Sequence, residues 1–415
     1  MIKSASGVRA LARIMLQHRS LTPPGRFAGA ALLCWIGLAL AAQVATAQGP
    51  SLTRGPYLQS TTRDSTIIVW QTNPAGDSVV EYGQMGFTQT VSDTTPVTTH
   101  VITLTGLLAG TTYQYRIKTG DTILYTTTLA TAPNPGGAFD FVMIGDSGAG
   151  SPAQFDVAAR MLALDPDFIL HLGDVIYPNG EAANYTPWFF TPYGDLVDQT
   201  PVFPSLGNHD YGTPNAQPYL DVFYLPTNNP SGTERYYSFD WGDAHFVALD
   251  SNRLYPTPDA AMLQWLASDL SASAAKWKFV FFHHVIYSSG PHGLLEPDVV
   301  RVMRNALAPL FERYNVDIVF TGHDHDYERS TPRRDYVPDS DGVVYIVSGG
   351  GGAPLYPVGS SAFTAFSASV YHTVQVHIES CILSLKAIDT AGAVIDQIAL
   401  AECPHNLYLP IILKG

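Results

Sequence analysis

The chain has 415 residues, of which 46% are hydrophobic and 14% charged, long enough for two or three domains. That composition excludes a disordered chain, a coiled coil and a solvated scaffold. The formal net charge is -14, and residues 1–47 carry five bases and no acid, so the remainder sets 17 bases against 36 acids. A globule so acidic repels polyphosphate backbones, which excludes DNA or RNA as its main partner unless a metal supplies positive charge locally.

Residues 1–26 are basic, Phe27 to Ala42 is an unbroken apolar or small run, and Ala45-Thr46-Ala47 is a small-x-small cleavage site. Residues 1–47 therefore read as a signal peptide, with a secreted or extracytoplasmic destination, the cell surface included. The alternative is a retained anchor, although the run is shorter than the ~20 residues a spanning helix needs. Beyond it, Cys381 and Cys403 either pair in an oxidising compartment or stay as two buried thiols.

Residues 48–134 read as strands only. Ser65–Trp70 is β-branched and aromatic, Tyr113, Tyr115 and Ile117 alternate with polar residues, and turn signals recur at Asn73-Pro74-Ala75-Gly76, Gly83 and Ala109-Gly110. This predicts a small β-sandwich with Trp70 in its core. Leu107 with Gly110-Thr111-x-Tyr113 resembles the tyrosine corner of fibronectin type III domains, and Thr131–Gly137 is a linker by composition. Residues 138–400 alternate strands and helices. Strands are expected at Phe139–Ile144, Asp167–Leu172, Val202–Leu206, Trp277–Phe282, Val316–Phe320 and Val343–Val347, with a hairpin around Gly242-Asp243. Helices are expected at Pro152–Leu164, Pro258–Leu270 and Pro297–Tyr314. The fold class is thus multidomain, an all-β sandwich followed by an α/β layered domain. Residues 401–415 form a tail that is either an edge strand or a sorting signal.

Five motifs follow apolar strands: Gly145-Asp146-Ser147-Gly148, Gly173-Asp174-Val175-Ile176-Tyr177, Gly207-Asn208-His209-Asp210, Phe282-His283-His284 and Gly322-His323-Asp324-His325. Each puts a carboxylate, amide or imidazole where a strand leaves the sheet, the usual site position in such folds. A lone Asp there is a turn residue and a lone His a core residue. Five in series, offering oxygen and nitrogen ligands, point to a two-metal site.

The ordered set GDxG, GDxxY, GNHD, xxxH and GHxH resembles the purple acid phosphatases, a branch of the calcineurin-like metallophosphoesterases, and the sandwich resembles the fibronectin-like domain of their larger members. The resemblance implies an α/β/β/α sandwich. It also implies one metal held by Asp146, Asp174, Tyr177 and His325, and a second held by Asp174, Asn208, His283 and His323, with Asp174 shared. The anionic oxygens of the first set suit Fe(III), and the neutral ligands of the second suit a divalent ion such as Zn, Mn or Fe(II). The family's spacing to an aromatic and a further histidine fits Tyr287 and His292 when counted from His283 and fails from His284. His209 and His292 are implied at the substrate phosphate, His292 with a solvated loop histidine as its alternative.

His171, His245 and His377 read as core histidines, His372 is open, Arg329 reads as a brace, and Ser348–Gly352 as a tight loop near the site rather than a phosphate cradle. The expected function is a secreted acid phosphatase acting on small phosphomonoesters, with a metal-held hydroxide attacking phosphorus and a histidine protonating the leaving group. The alternatives are a phosphodiesterase or nucleotidase, with Asn179–Thr200 and Pro226–Gly232 as the loops that would set pocket width, and a surface-binding protein with a relict site.

Overall fold

A computed structural model describes residues 49–401. The signal peptide expected at 1–47, Cys403 and all but the first residue of the expected tail lie outside the described residues. No helix among the described residues is long and apolar enough to cross a membrane.

Five strands form the first part of the described chain: Ser51–Gln59, Ser65–Gly83, Gln89–Thr105, Thr112–Thr119 and Thr122–Ala130. The long strand Ser65–Gly83 pairs through its first half with Ser51–Gln59 and through its second half with Thr112–Thr119, while Gln89–Thr105 follows it along both. The five strands thereby form one continuous sheet around the long strand, and Trp70, Tyr82, Tyr115 and Leu129 are buried together in its own apolar cluster. Tyr113 Oη accepts the backbone N–H of Leu108 at 2.8 Å, which is the tyrosine corner read from the sequence. This region also shares the main core: Tyr57 and Val69 belong to the same apolar cluster as the α/β layers. Tyr57 donates to the carbonyl of Val222 and Tyr115 to that of Asp198.

The α/β part is built on two sheets. One has six strands, with Phe139–Ile144, Phe168–His171 and Val202–Pro204 in parallel. The other has seven, with Ala244–Ala248, Trp277–Phe281, Ile318–Thr321 and Val344–Ser348 in parallel. Phe141 of the first sheet meets Phe246, Phe279 and Phe320 of the second edge-on, with ring centroids 5.3, 5.8 and 6.3 Å apart. The two inner faces are thus sealed by aromatic packing. Helix Pro152–Ala163 covers the outer face of the first sheet through Val157, Ala158 and Met161. Helices Ala260–Ala272 and Pro297–Arg313 cover that of the second through Leu266, Leu270, Leu307 and Phe311. The result is the expected four layers.

Several expectations need correction. Asn179–Thr200 is not an irregular loop. It folds as Ala182–Tyr185, Thr186–Phe190 and Thr191–Val197, and buries Tyr185, Phe189, Phe190 and Tyr193. Its two prolines sit in first-turn positions, where the lost N–H has no helical partner in any case. His377 is not a core residue: its neighbours Val376 and Ile378 point inward, so its own side chain turns outward, 41% exposed, beside Asp140. His245 is buried but not apolar in role, since Nδ1 lies 2.7 Å from Asp240 and Nε2 2.8 Å from Asp269. Burial lowers its pKa, yet the two carboxylates outweigh that and raise it to about 9. His171 is a core residue as expected, bonded to Ser147 Oγ, and His372 is another, bonded to Ser348 Oγ. Arg329 braces Asp396 through a two-nitrogen contact. Cys381 is disulfide-bonded.

Candidate metal centre

All five motifs emerge at the C-terminal ends of parallel strands, three from one sheet and two from the other, so their side chains converge on one rim. The backbone there is forced. Asp146, Asp174 and His323 all have positive φ, at 59°, 53° and 71°, a conformation that costs an ordinary residue roughly 1–3 kcal/mol and persists only where the surroundings impose it. Glycine supplies the room. A Cβ on Gly207 would stand 2.0 Å from Asp174 Oδ1, and one on Gly322 2.5 Å from Asp146 Oδ2.

Seven side chains meet in two overlapping groups. In the first, Tyr177 Oη lies 3.0 Å from Asp146 Oδ1, 3.1 Å from Asp174 Oδ2 and 3.0 Å from His325 Nε2. His325 Nδ1 is 2.8 Å from the carbonyl of Pro354, so in the neutral ring Nδ1 donates there and Nε2 presents a lone pair. Two carboxylate oxygens, a phenol oxygen and an imidazole nitrogen therefore face one another with a single phenolic proton among them. In the second, His283 Nδ1 donates to the carbonyl of Leu172 at 2.9 Å. Its Nε2 faces Asn208 Oδ1 at 2.9 Å, Asp174 Oδ2 at 3.2 Å and His323 Nδ1 at 3.1 Å. Asp174 Oδ2 belongs to both groups. Acceptors gathered with too few protons between them are a donor set for cations, and the mixture of carboxylate, phenol, amide and imidazole fits two of them.

The electrostatics carry the same signature. Burial, then the carboxylates of Asp146 and Asp174, push the Tyr177 phenol well above its ordinary pKa, a bias that a bound cation inverts. Burial would lower His283, but Asp174 and Asp146 raise it to about 9. Burial, then the imidazoles of His284, His283, His292 and His325, hold His323 well below the ordinary value, which keeps it neutral and able to ligate. His284 bonds through Nδ1 to Ser251 Oγ at 2.8 Å, its ring 4.6 Å from that of His323, and burial takes it down to about 3.

His209 and His292 flank this cluster. His209 has its ring centroid 4.4 Å from that of Tyr177 and its Nε2 3.9 Å from Asp174 Oδ2. His292 stacks on His323 at 3.8 Å. Four further residues shape the site without having been assigned roles from the sequence. Asp210 accepts the backbone N–H groups of Val175 and Gly207, tying two motifs together. Asp324 accepts those of His292 and Gly293 and the hydroxyl of Ser288, tying the His292 loop to the His323–His325 turn. Glu296 accepts His292 Nδ1–H at 2.8 Å. Tyr356 stacks on His325 with centroids 4.0 Å apart. The first two sit inside the motifs, so position was a signal for them. Glu296 is four residues beyond His292 on the same helical side, and nothing in the sequence marks Tyr356. The Ser348–Gly352 turn packs directly behind Asp146, with Ala353 N–H donating to the Asp146 carbonyl.

Residues 139–327 match the calcineurin-like phosphoesterase family. Purple acid phosphatase 15 of Arabidopsis thaliana is 30% identical over 288 residues, 61% of this chain and 53% of that protein. A nucleotide pyrophosphatase/phosphodiesterase of Hordeum vulgare is 27% identical over 221 residues, 46% of this chain and 58% of that protein. The chain thus spans about half the length of these two curated relatives. Among solved structures, purple acid phosphatase PPD1 from yellow lupin (Lupinus luteus) seeds superimposes with a TM-score of 0.72 at 20% identity, covering 85% of this chain and 74% of that one; at that identity the likeness speaks for the fold. Residues 139–327 thus match the calcineurin-like phosphoesterase family, and the chain is similar in sequence to the purple acid phosphatases.

Proposed function

We propose that this protein is an extracytoplasmic acid phosphatase that hydrolyses small phosphomonoesters at a dinuclear centre of Fe(III) and a divalent ion. The observation that supports this most is the pair of proton-poor donor groups sharing Asp174 Oδ2. Asp146, Asp174, Tyr177 and His325 would hold the trivalent ion, and Asp174, Asn208, His283 and His323 the divalent one. Metal ions so held supply Lewis acidity toward phosphoryl oxygens and a hydroxide nucleophile in mild acid.

The chain's own residues do the rest. The carbonyls of Leu172 and Pro354 fix the tautomers of His283 and His325, so that each ring presents the nitrogen the site uses. The Pro178 carbonyl, 2.5 Å from His209 Nδ1, does the same for His209, leaving Nε2 toward the site as a contact for a phosphoryl oxygen. Glu296 orients His292 through Nδ1, so that the doubly protonated ring can pass its Nε2 proton to a departing alkoxide. The acidic surface disfavours long polyanions and leaves small monoesters as the substrate class. The test is a panel of monoesters and diesters assayed on protein purified without added metal, then after chelation, then after metal is restored. Monoester hydrolysis that vanishes with the metals and returns with them is expected. Diester hydrolysis that exceeds it, or activity indifferent to chelation, would overturn the reading.

A further inference from the structure

His323 presents its two ring nitrogens to two different groups of ligand atoms. Nδ1 faces His283 and the dinuclear donor set. Nε2 faces the other way, 3.8 Å from Glu296 Oε2. The residue is only 7% exposed, and Nε2 has no hydrogen-bond partner, which is costly for a buried polar atom and calls for one. Around that nitrogen stand the Glu296 carboxylate and the His292 imidazole, whose Nδ1 is 2.8 Å from Glu296 Oε1. One ligand atom from each of His292, Glu296 and His323 lies within 4.8 Å of the others. Two imidazoles and a carboxylate are a donor set suited to zinc.

We propose that His292, Glu296 and His323 Nε2 form a third, inhibitory site for a divalent cation of zinc type, joined to the dinuclear centre through the His323 ring. The proposal rests on the proposed function for the bridging role of His323 and for the part His292 plays at the leaving group. Binding replaces the Nε2 proton that a neutral His323 carries when Nδ1 serves the dinuclear centre. The ring becomes a bridging imidazolate and one proton goes to solvent for each ion bound. With substrate absent and the His292 ring neutral, its one proton moves from Nδ1 to Nε2, so that Nδ1 can ligate, and no further proton is released there. An ion in this position pins His292 and withdraws it from the leaving group, so occupancy switches turnover down. Glu296 and His292 are partly exposed, with side chains 38% and 27% accessible, which leaves the ion a route from solvent.

The alternative role for Glu296 is second-sphere support of His323 without any third ion, and the two can be told apart on the intact protein. Zinc is titrated into wild type and Glu296→Gln, bound metal is counted by equilibrium dialysis with atomic emission, released protons are followed in weak buffer, and turnover of an alkyl phosphate, whose leaving group needs the His292 proton, is recorded. Wild type should take up one zinc more per chain than the variant, releasing about one proton with it, and lose turnover as that ion binds. In Glu296→Gln the affinity for this ion should fall roughly 10–100-fold or more, and inhibition by zinc should weaken in parallel. His292→Ala should lose the same ion by removing a different ligand. Equal zinc counts and equal zinc sensitivity in wild type and Glu296→Gln would overturn the proposal. The count left in the variant judges the dinuclear reading separately: two ions sustain it and fewer contradict it, whichever way the difference falls.

Discussion

Replacing Asp324 by Asn should unfasten the His292 loop while leaving the seven clustered side chains in place. Asp324 Oδ2 accepts Ser288 Oγ–H at 2.6 Å and Gly293 N–H at 3.1 Å, and Oδ1 accepts His292 N–H at 2.8 Å. Asn keeps one acceptor oxygen. Its better orientation retains the two bonds on the Oδ2 side and turns an NH2 group against the His292 N–H. That loses one charge-assisted bond, leaves a part-buried donor facing a donor and weakens the two remaining bonds by removing the charge. A hydrogen bond to a charged group contributes about 1.5–3 kcal/mol, so the local cost is about 3 kcal/mol. A difference of that size corresponds to roughly 100-fold faster opening-limited amide exchange. Hydrogen exchange of the peptide around Ser288–Glu296 is the assay, with peptides from the Phe139–Ile144 and Ile318–Thr321 strands as internal controls. Hydrolysis of an alkyl phosphate should fall more than that of p-nitrophenyl phosphate, because a loosened His292 matters only where the leaving group needs a proton. Exchange within threefold of wild type, or equal slowing of both substrates, would refute the reasoning.

Other outcomes follow from the same geometry. His292→Ala should slow an alkyl phosphate by about 10²–10⁴-fold and p-nitrophenyl phosphate much less, whereas His209→Ala should slow both alike; steady-state rates on the two substrates decide. Because the folded pKa of His245 is raised to about 9 above an ordinary value near 6.5, its ion pairs should stabilise the fold fully below about pH 6.5. That contribution should be lost as pH rises through 9. His245→Gln should therefore flatten thermal stability across that window, and an unchanged slope would count against the pairing. A chain cut to begin near Gly136 should be poorly soluble or strongly destabilised, since Tyr57 and Val69 complete the main core; a truncated protein melting like the intact one would contradict this. Tyr177→Phe should remove the visible charge-transfer absorption expected of an Fe(III) phenolate, and a coloured variant would remove Tyr177 from the iron.

The strands that carry the motifs were readable because each is a short apolar run ended by a polar residue, with Gly before it in all but Phe282-His283-His284. Phe139–Ile144, for instance, is bounded in the structure as in the sequence. The helix Pro152–Ala163 was readable from its apolar spacing and its Pro start. What escaped was structure whose local pattern misleads. Thr186–Val197 buries its aromatics on more than one side, so no single apolar stripe marks it. The strands His372–Glu379, Ile382–Asp389 and Val394–Ala401 went unassigned, although the alternation of Val374, Val376 and Ile378 was present to be read. In the site, residues that offer lone pairs announce themselves by type and place. Residues that hold them, such as Asp324, Glu296 and Tyr356, act through distances that only the fold creates.

The central claim, two metal ions sharing Asp174, is tested most directly by counting metal in protein purified without added metal, beside Asp146→Ala, Asn208→Ala and Asp174→Ala. The account predicts two ions per chain in wild type, one of them iron. It predicts loss mainly of iron in Asp146→Ala, loss mainly of the divalent ion in Asn208→Ala, and loss of both in Asp174→Ala. A wild type holding one ion or none, or an Asp174→Ala protein that keeps both, would contradict it.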